Sequence, residues 1–585
     1  MQLVALSPPG RFPTVVRDPG DWWSAVTTAW PRIDRPGINA AWWHTICDPS
    51  TVRVLTPGRR NRLSVSHRRA ETSATRAADA LARFTRIETY GSMACYVDAV
   101  EALATHLAAL DRLDPFLGFS PGAGVRVAGL RYGSSRELMS YAEADTPLAR
   151  IIGRALDSVP IHADAALVDV SSPEDLLTAL ITIRLLRESR RIGYAALVDH
   201  GYENFSLSPH VARLRGAGTF ASIFDAIVEE KDDRDVLVPR IVEGLAADRP
   251  LRGYLRLEAD ERRGSSDDAE ASAEPSIAPP TPTFAPWPIL VTRVSQRRCY
   301  WARCTFCVHN LKYADRAAPS VDDVPRAVRR LRAAAAAGYR QAILADEALS
   351  PAMLRTLGSA ILDSRLLRDH PDFRWACRSK LERAHDPELL SMLGRAGCAE
   401  ILFGLESTSD RVLGLMDKRS PGLTTDEVLR ILGDMHAAGI SAHANLILGF
   451  PGDTGDETRA SVEFLAAALA PLRNATYAIN PFTLFPGTPI AEEPSRFGIG
   501  LMPTTDDIPY ELAYRPTTTE TEGSETVIAL REQLEDWLAE RLGWRRPSES
   551  GLGLAAQNLY FRTGHGLVFK TSGRNPMDRM LSPVA

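Results

Sequence analysis

From residue 289 onward, short apolar runs alternate with amphipathic segments six times in succession. That rhythm constrains the fold more than anything else in the chain. Residues 289–294, 341–345, 373–377, 400–405, 441–449 and 476–482 have the length and composition of strands. Several of the intervening segments carry local helix signals. Ser320-Val321-Asp322-Asp323 resembles a capping box, and Gly338 closes the helix it opens. Residues 354–366 form the next helix. Asp386-Pro387 is a cap followed by proline at the first helical position, and Gly397 ends that helix. Thr424-Thr425-Asp426-Glu427 caps a helix that stops at Gly439, and 456–470 is the last helix of the series. Strands joined one after another through helices run parallel, in an open sheet or a partial barrel.

In a parallel β/α barrel, chemistry gathers on the loops that follow the strands. The first strand leads into Arg298-Cys299-Tyr300-Trp301-Ala302-Arg303-Cys304-Thr305-Phe306-Cys307. Three thiolates on one short loop hold three irons of a four-iron cluster and leave the fourth open to a small molecule. The rival reading is structural zinc, with His309 as fourth ligand. Zinc sites usually draw two ligands from one loop and two from a distant one, whereas here all four crowd one loop. Arg297, Arg298 and Arg303 surround the loop and are expected either to lower the thiol pKa values or simply to be solvated. The other cysteines, Cys47, Cys95, Cys377 and Cys398, are scattered, and Cys398 reads as a buried structural thiol.

The later strands end at Asp346-Glu347-Ala348-Leu349-Ser350-Pro351, Cys377-Arg378, Gly404-Leu405-Glu406-Ser407, Gly449-Phe450-Pro451-Gly452-Asp453-Thr454 and Phe485-Pro486-Gly487-Thr488. Taken singly these are caps and turns. In this order, residues 285–500 resemble a radical S-adenosylmethionine (radical SAM) core of the cobalamin-associated branch. Phe403-Gly404-Leu405-Glu406-Ser407 and Leu448-Gly449-Phe450-Pro451-Gly452 carry the likeness together with the cysteine loop and the acidic stretch at 346. One departure stands out: many members place three residues between the first two cysteines, and four stand here.

The resemblance implies a partial (β/α)6 barrel in which Cys299, Cys304 and Cys307 ligate a [4Fe-4S] cluster and SAM chelates the open iron. Asp346 and Glu347 would receive the SAM ammonium, unless one of them only caps the following helix. Glu406, with Ser407 beside it, would lie near the SAM ribose or amino-acid moiety. Arg378 would grip the SAM carboxylate or else form a surface ion pair. Gly449 and Phe450 would let backbone approach the adenine. The activity implied is reductive cleavage of SAM to functionalise an unactivated carbon, foremost by cobalamin-dependent methyl transfer on a peptide or natural-product substrate. Cobalamin-independent rearrangement, cyclisation or epimerisation is the alternative within enzymes. A non-enzymatic iron–sulfur or zinc regulator is the alternative from another class. An electron donor such as flavodoxin or ferredoxin is the implied partner.

A chain of 585 residues needs two or three domains. Residues 258–284, acidic and then proline-dense, read as an extended linker between an N-terminal region, 1–257, and the core. Within that region, 164–170, 194–198 and 224–230 read as strands. Residues 173–190 form a helix with Leu176, Leu177, Leu180, Ile183 and Leu186 at helical spacing, and 236–245 form another. This order resembles the second half of a Rossmann-like cobalamin-binding domain. The Asp-x-His-x-x-Gly motif of many such domains is missing, and Asp199-His200-Gly201 is its nearest fragment. The domain therefore either holds cobalamin without a histidine ligand or serves as a scaffold. Trp22, Trp23, Trp30, Trp42 and Trp43 read as packing residues. Residues 501–585 form a small C-terminal extension with a helix at 525–542.

The net charge of -5 gives no reason to expect nucleic acid as a partner. No apolar run is long enough for a bilayer, and the start lacks the basic flank of a signal peptide. Seven cysteines without an even framework add to the expectation of a reducing, cytoplasmic setting.

Overall fold

The computed structural model describes residues 1–10, 12–13, 16–17, 26, 33–56, 65–90, 93–120, 124–170, 172–199, 211–229, 233–257, 277, 280–281, 283–295, 297–311, 318–472, 475–517 and scattered positions between 530 and 541. Trp22, Trp23, Trp30, His200 and most of the expected linker and C-terminal helix lie outside them.

Two parallel sheets organise the chain. The first contains β1 (Leu3–Leu6), while β2 (Val16–Arg17) belongs to the second; β3 (Ile33–Asp34) returns to the first. After β3 comes a helical insertion that includes Ile38–Ile46, Val65–Phe84 and Met93–Asp111, followed by the antiparallel pair β4 (Leu117–Ser120) and β5 (Gly124–Val127). The first sheet resumes with β6 (Ala163–Val170), β7 (Ile192–Asp199), β8 (Ala226–Val228) and β9 (Gly253–Leu255). Its order is β3-β1-β6-β7-β8-β9, all parallel. The strand order reverses between β1 and β6. In doubly wound sheets, the crevice outside the carboxyl ends at such a reversal is where ligands bind.

The second sheet contains β10 (Ile289–Thr292), β11 (Gln341–Leu344), β12 (Arg374–Ser379), β13 (Cys398–Glu406), β14 (Ser441–Leu448) and β15 (Ala475–Pro481). These six strands lie side by side in chain order, all parallel, with β2 added at the β10 edge. This is the expected half-barrel. Its helices start where local chemistry starts them. Ser320 and Asp323 form a reciprocal capping box. Ser350, Asp386 and Thr424 each cap a helix, and Thr454 with Glu457 forms a second capping box. Alternate strand residues such as Ile401, Phe403, Ala442, Ala444 and Leu446 pack in one core with helix residues Leu331, Leu357, Leu390, Leu432 and Leu465. By the two-residue period of a strand, the opposite, concave face carries Arg378, Glu400, His443 and Asn445.

Several contacts cross the expected division near residue 257. β2 leaves the N-terminal region to pair with Leu290 and Val291. Phe284, at the end of the expected linker, is buried and stacks on Phe12 with ring centroids 4.8 Å apart. Trp42 and Trp43 are fully buried, as packing residues should be. The last pair of strands, β16 (Ile499–Leu501) and β17 (Tyr514–Pro516), is antiparallel. Between them the chain caps a helix of the N-terminal region. Asp507 accepts from the backbone N–H of Ser135 at 2.8 Å and from its hydroxyl, and Ile508 N–H donates to Gly133 O at 2.9 Å. Asp507→Ala removes this long-range cap of helix Ser135–Glu143. It is expected to cost about 1–2 kcal/mol and to expose the 501–512 segment to protease. An unchanged urea midpoint with unchanged cleavage would count against the cap.

Glu400 lies buried on the concave face, and burial pushes its carboxyl up to about 7. In the unfolded chain the group ionises near 4.5, so folding binds the proton more tightly. The stability it contributes is full below that value and is lost as pH rises toward 7. Glu400→Gln is expected to flatten this fall, relative to the natural chain, by up to roughly 3 kcal/mol across that window. Denaturant titrations at pH 4.5 and pH 7.5 measure the difference; parallel profiles for the two proteins would refute it.

Candidate active site

The cysteine loop sits at the carboxyl end of β10 and is held from several directions. Asp346, at the end of β11, accepts from Val294 N–H at 2.6 Å and Ser295 N–H at 3.0 Å. It is buried, which raises its pKa. Glu347 takes Arg293 at 3.1 Å and the ring of His309 at 3.0 Å. Both acids thus stand at the loop's flanks, where they brace its backbone and its neighbouring arginine. His309 faces Glu347 across that contact.

Within the loop, Tyr300 donates to Glu382 at 2.7 Å, and Trp301 Nε1 donates to the Asp417 carbonyl at 2.8 Å. Thr305 N–H reaches Met416 O at 3.0 Å, and Asn310 Nδ2 holds Cys304 O at 2.8 Å. Phe306 meets Phe450 edge-on at 6.1 Å, and Phe450 in turn packs on Phe482 and Phe497. Phe450 is thus the buried apolar support of the loop. Gly449 beside it has φ +65°. Three of the non-glycine residues with positive φ, Ala302, Glu406 and Asp417, cluster here. Backbone held in such sparsely populated regions tends to concentrate at functional sites.

Glu406 stands at an irregularity in the β13–β14 pairing and is buried in an ion pair with Lys418 at 2.5 Å. A Cβ on Gly404 would overlap the tips of both charged side chains, so a larger residue there would make the pair shift. Ser407 is buried, accepts from Ser409 N–H at 3.1 Å and lies 3.4 Å from the Ser461 hydroxyl. That places it in a local turn against helix Gly455–Leu469. Arg378, half-buried on the concave face, makes no side-chain hydrogen bond or ion pair among the described residues.

Two of the arginines beside the thiols are held by acids from other elements. Arg297 pairs with Asp323 at 3.0 Å and Arg303 with Asp417 at 2.9 Å. The cations that act on the thiols are Lys418 and Lys380. Burial outweighs them, pushing Cys304 up to about 11 and Cys307 up to about 12. Loading a metal therefore releases protons from these thiols. Sequence reasoning missed Lys380, Lys418 and Glu382, because isolated charged residues in short connecting segments carry no motif.

The donor set fits an iron–sulfur cluster: three thiols from one loop, no further than half-exposed, with apolar and cationic neighbours. Among the described residues no three His, Cys, Asp or Glu side chains are gathered closely enough to share one metal ion. The structure thus presents the loop, its burial and its charges rather than a preformed coordination shell. Cys377 and Cys398 are buried together, away from the loop in sequence and packed in the core.

The second sheet is thus a parallel half-barrel with a braced three-cysteine loop at the carboxyl end of β10. Residues 294–465 match the radical SAM superfamily. The chain is 23% identical over 283 residues to an uncharacterized methyltransferase of Pyrococcus horikoshii, covering 46% of this chain and 57% of that protein. It is 28% identical over 120 residues to a bacteriochlorophyllide d C-12(1)-methyltransferase of Chlorobaculum tepidum, covering 20% of this chain and 25% of that one. The chain thus spans about half and a quarter of these curated relatives' lengths. Among solved structures it is similar to the radical SAM methyltransferase TsrM of Kitasatospora setae, determined with cobalamin and a [4Fe-4S] cluster bound. That match has 14% identity and a TM-score of 0.45 over 70% of this chain and 80% of that one. It is also similar to OxsB, a cobalamin-dependent SAM radical enzyme determined with aqua-cobalamin bound, at 15% identity and a TM-score of 0.42 over 71% and 65%. No helix among the described residues is long and apolar enough to cross a membrane.

Proposed function

We propose that this protein is a radical SAM methyltransferase that binds a [4Fe-4S] cluster through Cys299, Cys304 and Cys307 and methylates an unactivated carbon of a peptide or natural-product scaffold. The observation that carries the reading is the half-buried cysteine loop, locked at the strand ends of a half-barrel that follows a sheet with a strand-order reversal. The methyltransferase relatives support it. When bound, the cluster and SAM supply a one-electron cleavage that yields a 5'-deoxyadenosyl radical, and cobalamin supplies a methyl carrier.

This chain's residues bind, orient and exclude water. Glu406 and Lys418 present a carboxylate and an ammonium beside the Cys304 thiol, complementary to the ammonium and carboxylate of SAM. Arg378 offers a guanidinium on the same concave face. Phe306, Phe450 and Phe482 keep water from the loop's inner side. Glu400, His443 and Asn445 line the face where a substrate would lie, with His443 Nε2 and Asn445 Oδ1 2.9 Å apart. Cobalamin would be held at the crevice between the carboxyl ends of β1 and β6, where the strand order reverses and residues 7–10 and Ser172 follow the strands. An external one-electron donor of the flavodoxin or ferredoxin type completes the system.

The test is anaerobic purification from cobalamin-fed cells, followed by assay of bound cobalamin and of SAM products. Near-stoichiometric cobalamin with both 5'-deoxyadenosine and S-adenosylhomocysteine is the expected result. 5'-Deoxyadenosine alone, without cobalamin, would replace methyl transfer with a radical rearrangement, cyclisation or epimerisation.

A further inference from the structure

The four residues between Cys299 and Cys304 are gripped by the segment that follows β12. Tyr300 donates to Glu382, and the Lys380 ammonium lies over the Trp301 ring, 3.9 Å from its centroid. Lys380 is only 5% exposed; it donates to the Ser420 hydroxyl, which passes a hydrogen bond to Leu381 O at 2.7 Å. A buried ammonium over an indole face is held charged by the ring quadrupole. Burial draws Lys380 below the ordinary lysine value, while Glu382 and the Cys304 sulfur hold it up.

The other lysine here, Lys418, is 13% exposed and is neutralised at 2.5 Å by Glu406. Lys380 is compensated less well: Glu382 stands 3.8 Å away and spends the same oxygen on Tyr300. Lys380 is thus both the more buried and the less compensated of the two lysines beside the cluster loop.

Building on the cluster assignment made above, we propose that Lys380 is a positioning residue that sets the cluster's reduction potential. Its charge, clamped over Trp301, favours the state with one more electron. Reduction adds one electron from a chemical donor such as dithionite, and no bond is made or broken. Net charge around an iron–sulfur cluster is one of the terms that fixes its potential.

The experiment is a redox titration of the full chain, followed by electron paramagnetic resonance, with iron and sulfide counted per chain. Lys380→Met keeps the stem on Trp301 and removes the charge. It is expected to make the reduction equilibrium about tenfold less favourable, a shift of about 59 mV to lower potential for one electron. Lys380→Arg is expected to stay near the natural value. Glu382→Gln, which keeps an acceptor for Tyr300, is expected to shift the potential the opposite way. A merely structural clamp does not reverse sign between a lost cation and a lost anion. Full clusters with no shift, or with both variants shifting the same way, would overturn the role of Lys380. So would a Lys380→Met chain that loads no cluster while a fully loaded Glu382→Gln chain shows no shift. A natural chain that binds no cluster would instead overturn the functional assignment on which this rests.

Discussion

Cys304→Ala is expected to yield a chain that holds no four-iron cluster and releases no 5'-deoxyadenosine from SAM. Changes in the outer shell of a metal site already cost about 10–100-fold in affinity, and here a ligand itself is lost. The loop should survive the substitution. Its carbonyl at 304 is held by Asn310, its Thr305 N–H by Met416, and its aromatic residues by Glu382, Asp417 and Phe450. Iron and sulfide per chain, beside chromatographic detection of 5'-deoxyadenosine, give the answer. Cys398→Ala is the control: that thiol is buried in the core, and its loss should leave iron content intact. Continued reductive cleavage by the Cys304 variant would sink the ligand assignment.

The second large effect is on stability. Lys418→Met leaves Glu406 buried opposite an apolar side chain. Breaking a buried ion pair from one side costs about 3–5 kcal/mol, because the remaining charge has lost its counter-charge. The pair lies over Gly404, where no side chain can move in to compensate. The urea midpoint of the half-barrel transition should therefore fall sharply. The double variant Lys418→Met with Glu406→Gln should recover part of the loss, since no charge is then left unpaired. A single variant as stable as the natural chain would mean that water reaches Glu406.

The half-barrel was legible because its boundaries are written locally. Ser320 with Asp323, Asp386 before Pro387, and Thr424 each cap a helix within a few residues of their own position. The same holds for the cysteine loop, whose three thiols need no distant partner to be recognised. What could not be read depends on contacts far along the chain. β2 is two residues long and has no period to detect; it becomes a strand only when β10 is beside it. The hydrogen bonds from Val294 and Ser295 to Asp346 join residues some fifty positions apart, and only the folded chain shows them. Arg297 and Arg303 adjoin the thiols in sequence, yet acids from other elements claim their charges, while Lys380 and Lys418 arrive from later segments. Adjacency in sequence says little about which charge a buried thiol feels.

The excursion of β2 between the two sheets governs how the molecule can be made. On the ribosome, Val16 emerges long before its partner strand, which does not exist until Leu290 has been synthesised. Until then the β2 segment waits without its partner, and the chain on either side of it is already committed to the other sheet through β1 and β3. Contacts that close so late slow folding and leave intermediates exposed to association. A fragment that starts at the cysteine-bearing half would meet the same difficulty from the other side, with the β10 edge bare and ready to pair with a neighbour.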